Sequence, residues 1–166
     1  MEQDKVKRKT VEQALAALRR QCARMERSEF DVRRSMMRWQ MTADEVQQVV
    51  DKLIDERFVD NARYADAFVR DKLRFSGWGR RRIVNALRAK QISLEVISSL
   101  EHYFVDEEDS ERLTEMLEKK ARQVKARNAY DLRDKLVRFG LYRGFELEKL
   151  LPIAIRISTE KFSCDE

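Results

Sequence analysis

The feature that most constrains this chain is an internal repeat. Val32, Met36, Met41, Val46 and Leu53, moved along by 51 positions, land on Ile83, Leu87, Ile92, Ile97 and Phe104, all of them apolar. A further step of 49 carries Ile83, Leu87, Ile92 and Phe104 to Leu132, Leu136, Leu141 and Ile153, while Ile97 falls on Glu146 beside Leu147. Ser28, Gly79 and Asn128 take the same place ahead of the three apolar sets, and each is a residue type that opens a helix well. A period near 50 residues in a chain of 166 is the mark of a repeat array, in which one small unit recurs and buries its apolar face against its neighbours.

The spacing inside each unit is helical. Val11, Leu15, Leu18, Cys22 and Met25 recur at intervals of three and four, one stripe of an amphipathic helix. Ser28 then starts a second helix with Asp31 in its first turn and Val32, Met36 and Trp39 on one face. The capping box Thr42-x-x-Glu45 announces a third, with Val46, Val49, Val50 and Leu53 behind it. With only four glycines and one proline, little in the sequence interrupts helices. The expectation is an all-α protein of nine helices in three modules, at residues 1–57, 58–105 and 106–166, the last including a tail. The first helices of the modules align only after a one-residue slip. Stacked modules predict an elongated, curved body, and a compact bundle is the alternative that periodicity leaves open.

Several function classes recede on residue types alone. Cys22 and Cys164 stand near opposite ends with no CxxC spacing and the chain has one histidine, so no zinc site is expected. The "GWG" at 77–79 is followed by neither GxxxxGK[ST] nor GxGxxG, which argues against a phosphate loop; Gly77 suits a turn, Gly79 a helix cap and Trp78 a packing role. His102 has no Ser or Cys partner in a recognisable arrangement, which favours a structural role. Neither an enzyme nor a cofactor protein is expected. The polar start "MEQDKVKRKT" and the lack of a long uncharged apolar run point to a cytoplasmic protein without a membrane span.

Charge is segregated along the chain. Residues 70–90 hold eight basic residues and one acid, whereas residues 106–118 hold seven acids and one arginine. Residues 119–143 are basic again, and residues 44–60 are acidic, so positive charge returns on the second helix of every module. On the helix carrying Ile83 and Leu87, Arg81, Asn85 and Arg88 fall on one outward stripe, and Arg63, Arg70 and Arg74 form another on the helix before it. With Arg82, Lys90, Arg34, Arg38, Arg138 and Arg143 these are the candidate residues for an anionic partner. Arginine outnumbers lysine among them, and its guanidinium fork fits phosphate and carboxylate. A solvated face balanced by the acidic third helices is the plain alternative.

Three segments, "RSEFDVRRSM", "FVDNARYADAFVRDKLRFSGWGRRRIVNALRAKQIS" and "FGLYRGFELEKL", resemble the RecX family of recombinase regulators. The most specific part is ordered: Asp60-Asn61, Arg63-Tyr64-Ala65, Phe68, Gly77-x-Gly79, Arg82-Ile83, Leu87 and Lys90. Asn61, Arg80 and Gln91 depart from the family pattern; the departures touch turns, and the missing glycine at 91 suggests a locally different helix cap. The resemblance implies tandem three-helix modules that bind the RecA nucleoprotein filament on single-stranded DNA. It also implies restraint of ATP hydrolysis, strand exchange and coprotease activity, with no catalysis of the protein's own. Direct contact with single- or double-stranded DNA is a further option within that reading. Two rivals stand beside it, a DNA-binding protein built from helix-turn-helix-like modules and a helical scaffold for an unrelated acidic protein.

Overall fold

The computed structural model describes residues 8–104 and 106–163, and among these the chain is all-α with no strand. Cys164 lies outside them. The helices are α1 (Val11–Cys22), α2 (Glu29–Arg38), α3 (Ala43–Asp55), α4 (Asn61–Asp71), α5 (Arg80–Ala89), α6 (Leu94–Ser99), α7 (Asp106–Gln123), α8 (Ala129–Arg143) and α9 (Leu147–Ser163). A π-helical turn, Lys72–Ser76, prolongs α4, and a short 3-10 turn, Glu101–Tyr103, follows α6. The chain divides into two compact units. One gathers the residues up to Phe68 with Leu87–Ile97, and the other Val69–Ala86 with the residues from Ser98 onward.

Helix starts follow local chemistry. Thr10 and Gln13 close a capping box on α1 and Thr42 and Glu45 another on α3, each satisfying two backbone N–H groups that no helical carbonyl can reach. Ser28 and Asn128 accept from the N–H of Asp31 and of Asp131, as their residue types lead one to expect. Asp60 does the same for Arg63 at 2.9 Å, and Asn61 Oδ1 accepts from the Glu29 N–H at 2.9 Å, tying the start of α4 to the start of α2.

In the first unit α1 and α2 pack on α3 around Leu15, Leu18, Val32, Met36, Val49, Val50 and Leu53. Met25, expected on the α1 stripe, lies beyond the end of the helix and is 65% exposed. In the second unit α7, α8 and α9 pack on one another around Leu113, Leu117, Leu132, Leu136, Leu150 and Ile157. α9 runs on through Pro152, which is exposed and has no N–H to offer the Glu148 carbonyl.

The second helix of each module ends in the same device. Gln40, Gln91 and Gly144 take left-handed φ values of 56°, 57° and 94°. The N–H of the next residue reaches back five positions: Met41 to Met36, Ile92 to Leu87 and Phe145 to Gly140, the six-to-one bond of a Schellman cap. Gln91 therefore does not change the cap, contrary to the expectation from the missing glycine; it adopts the glycine-like conformation itself.

These caps correct the repeat register in the third module. Gly144 follows Asn128 by sixteen residues, where Gln40 follows Ser28 and Gln91 follows Gly79 by twelve, so α8 carries about one extra helical turn. Beyond that turn the equivalents of Ile92, Ile97 and Phe104 are Phe145, Leu150 and Ile157, which are 6%, 0% and 6% exposed. Leu141, matched to Ile92 by the 49-residue step, is 41% exposed. Glu146 is no failed core position either: its carbonyl accepts from Leu150 N–H at the head of α9, the place Ser93 holds ahead of α6.

Candidate functional site

The basic candidates sort by what holds them. Along α5, Ile83, Val84 and Leu87 are buried while Arg81, Asn85 and Arg88 are exposed, so the amphipathic period turns the two guanidinium groups and the amide outward. Neither Arg81 nor Arg88 meets a carboxylate among the described residues. Arg34 on α2 is likewise exposed, as is Arg38, which donates over a long 3.4 Å to Ser35. Arg138 on α8 is exposed and donates to the Asp134 carbonyl at 3.3 Å.

Four others are committed within the fold. Arg63 pairs with Glu26 at 2.6 Å and donates to the Arg57 carbonyl at 3.1 Å, and the Glu26 carboxylate holds its guanidinium pKa above the ordinary value. Lys90 pairs with Asp31, which Ser28 also hydrogen-bonds. Burial raises the Asp31 pKa, but Lys90 and Ser28 outweigh it and the carboxyl sits below its ordinary value. Nearby Tyr64 is pushed up to about 12, by burial first and by the Asp31 charge second. Arg143 donates to the Ser76 carbonyl and lies 5.1 Å from the Phe139 ring centre, with its Nε buried and without an acceptor. Arg82 is layered between Trp78 at 4.1 Å and Tyr142 at 4.7 Å and donates to the Tyr142 carbonyl at 3.2 Å.

Arg70 and Arg74 instead come together with residues distant in sequence. They line a cleft of about 740 Å³ in the second unit with Arg112 and Lys119 of α7, and Leu73, Met116 and Phe145 supply apolar wall. Trp78, His102 and Tyr103 are also on its lining, and the one carboxylate among the lining residues is Glu115. Sequence reasoning did not find this cleft. Sequence reasoning gives His102 a structural role; in the structure its Nδ1–H donates to the Ser99 carbonyl at 2.8 Å, and the exposed ring lies against Tyr103 with the ring centres 4.2 Å apart and the planes tilted by 38°. Nor did it find the ion pair of Arg80 with Glu101, where the guanidinium Nε stands 3.0 Å from the carboxylate and holds its pKa below the ordinary value.

The same order of modules is found in known proteins. Residues 60–99 match the model of the second three-helix domain of RecX, and residues 106–149 match that of the third. The chain belongs to the RecX family. Regulatory protein RecX of Finegoldia magna is 26% identical over 124 residues, which cover 74% of this chain and 60% of that protein. Regulatory protein RecX of Oceanobacillus iheyensis is 26% identical over 122 residues, 72% of this chain and 44% of that one. The chain thus spans about half the length of these relatives. The crystal structure of RecX from Lactobacillus salivarius superposes with a TM-score of 0.75 at 19% identity, covering 89% of this chain and 96% of that one. A second solved regulatory protein RecX gives 0.69 at 19% identity, covering 86% and 72%. At that identity the likeness speaks for the fold, an all-α array of three-helix domains. Among the described residues no helix is long and apolar enough to cross a membrane.

Proposed function

We propose that this RecX-family chain regulates recombination by binding the RecA filament on single-stranded DNA and slowing its ATP hydrolysis, strand exchange and coprotease activity. The observation that carries this reading is the outward stripe of α5, where Arg81, Asn85 and Arg88 stand exposed over the buried Ile83, Val84 and Leu87. A nucleoprotein filament offers phosphate and carboxylate at a regular spacing, and guanidinium groups on one helix face meet both with forked hydrogen bonds. Arg34 and Arg38 on α2 and Arg138 on α8 carry the same charge on the corresponding helices of the other two modules, which we place at residues 1–57 and 106–166 on either side of 58–105. The protein acts by occupancy, in proportion to the amount bound, with no turnover of its own.

The test is to add the wild-type chain and an Arg81→Glu, Arg88→Glu double variant to a RecA filament hydrolysing ATP on single-stranded DNA. Wild type slows hydrolysis at or below stoichiometric amounts, and the folded double variant needs far more. Equal inhibition by both removes α5 from the interface. No inhibition by wild type, together with sequence-selective binding to bare duplex, makes the chain a DNA reader that uses Asn85 and its arginine neighbours on base edges.

A further inference from the structure

The cleft of the second unit has a composition that the α5 stripe does not explain, and Arg81, Asn85 and Arg88 do not line it. Four basic side chains, Arg70, Arg74, Arg112 and Lys119, share it with four rings, Trp78, His102, Tyr103 and Phe145. Its volume of about 740 Å³ lies within the range of roughly 300–1,000 Å³ typical of small-ligand sites. One wall is built by an uncommon device. At Lys72–Ser76 the helix opens to a π turn, with the Gly77 N–H bonded to the Lys72 carbonyl, and Gly77 then turns left-handed at φ 58°. Such turns are rare and concentrate at functional sites, and this one carries Leu73 and Arg74 on the cleft lining.

We propose that this cleft binds a nucleotide unit, an aromatic base joined to a phosphate. Cations alone would suit any polyanion, an acidic peptide included. Interleaving them with rings adds a flat apolar surface on which a base stacks, the pairing found where proteins hold nucleotides without reading their sequence. The rings are fixed for this: the Nδ1–H bond to Ser99 orients His102, and the exposed imidazole lies against Tyr103 at the 4.2 Å ring separation. Met116, Leu73 and Phe145 give the adjoining wall apolar surface, beside which the attraction between guanidinium and phosphate is stronger than in open water. The nucleotide comes either free or as one residue of a single strand, and the chemistry of recognition is shared.

The test reads the fluorescence of Trp78 in a Trp39→Phe background, which leaves one tryptophan, in the cleft. The probes are ADP, the tetranucleotide dT4, inorganic tripolyphosphate and a hexaglutamate peptide. We expect saturable quenching by ADP or dT4: ADP alone identifies a free nucleotide, and dT4 alone identifies a strand. Tripolyphosphate and hexaglutamate bind at least about fivefold more weakly because they lack a base to stack. Arg74→Gln with Lys119→Gln weakens the nucleotide by about tenfold or more, and His102→Ala weakens the nucleotide but not tripolyphosphate. Circular dichroism establishes that the variants keep their helices. Absence of saturable binding by both nucleotides, equal binding of tripolyphosphate or hexaglutamate, or indifference of the folded Arg74/Lys119 variant each overturns the proposal. A failure of ATPase inhibition on the filament bears on the α5 stripe alone and leaves this result standing.

Discussion

Gly79 is pressed against the backbone of Gly144: a Cβ on Gly79 would stand 2.6 Å from the Gly144 carbonyl carbon and 2.7 Å from the Phe145 nitrogen. The approach is sealed by two hydrogen bonds, from Gly79 N–H to the Arg143 carbonyl at 2.8 Å and from Arg81 N–H to the Gly144 carbonyl at 3.1 Å. This is why glycine stands at 79 where Ser28 and Asn128 hold the same place in the other modules. Gly79→Ala must separate the head of α5 from the tail of α8, and should cost about 1–3 kcal/mol, as overpacked sites do. Urea unfolding followed by circular dichroism measures it. A change below about 0.5 kcal/mol would show that the backbones part easily.

The helix starts and core positions at Ser28, Thr42, Val32, Met36, Ile83, Leu87 and Ile97 were legible in the sequence, because they obey local rules of capping and period. The third module hid its register, since Leu132 and Leu136 precede the extra turn and stand four and eight residues after Asn128, as Ile83 and Leu87 do after Gly79, so they match with or without it. The left-handed residue at 144 and the burial of Phe145, Leu150 and Ile157 reveal the extra turn once the structure is known. The corrected register is testable. Leu150→Ala removes a fully buried side chain and should cost about 2–5 kcal/mol, whereas Leu141→Ala, at a 41% exposed position, should cost less than about 1 kcal/mol. A reversed order of the two losses would restore the uniform 49-residue step.

Gln91 offers a gain of stability. It is exposed and holds φ at 57°, a conformation that presses a Cβ on the backbone and that glycine adopts freely. Gln91→Gly should raise stability by up to about 1 kcal/mol, less than the full relief because glycine also loses more chain entropy on folding. Thermal unfolding should move up by about 2–4 °C. A lower midpoint would mean that the glutamine side chain contributes a contact worth more than the backbone strain.

Asp131 makes stability depend on pH in a defined window. The Lys135 ammonium at 2.8 Å and the Arg127 N–H at 3.0 Å hold its pKa down from 3.8 to about 2. A depressed folded pKa means that the unfolded chain takes up the proton first. The stabilisation is therefore complete above the unfolded value and is lost as pH falls from about 4 through about 2. Wild type and Asp131→Asn should differ in urea midpoint at pH 6 and converge at the acid end of that window. A difference that stayed constant across it would assign the effect to packing.

The basic residues were legible in the sequence as charge, but not by what holds them. Glu26 and Arg63 are 37 positions apart and Asp31 and Lys90 are 59 apart, so no local pattern reveals that these cations are already paired. Nor could spacing show that Arg70 and Arg74 share a cleft with Arg112 and Lys119, since tertiary folding alone brings α7 to them. What periodicity did reach was the α5 stripe, because burial of Ile83 and Leu87 dictates where Arg81 and Arg88 point.

That stripe makes the salt dependence of filament binding informative. Each guanidinium seated on a phosphate releases condensed counterions, so the logarithm of affinity falls with the logarithm of salt by about 0.7 per contact on a single strand. Contacts with protein carboxylates release fewer, because these groups hold no comparable counterion atmosphere. Binding of the chain to a RecA filament on single-stranded DNA, measured between 50 and 200 mM salt, should therefore give a lower slope for Arg81→Gln, Arg88→Gln than for wild type, by about 1.4 if both arginines sit on phosphate. A drop in affinity with an unchanged slope would place both against the carboxylates of the recombinase. Unchanged affinity and slope would leave α5 outside the interface and move the contact to Arg34 and Arg38 on α2 or Arg138 on α8, where the same pair of measurements can be repeated.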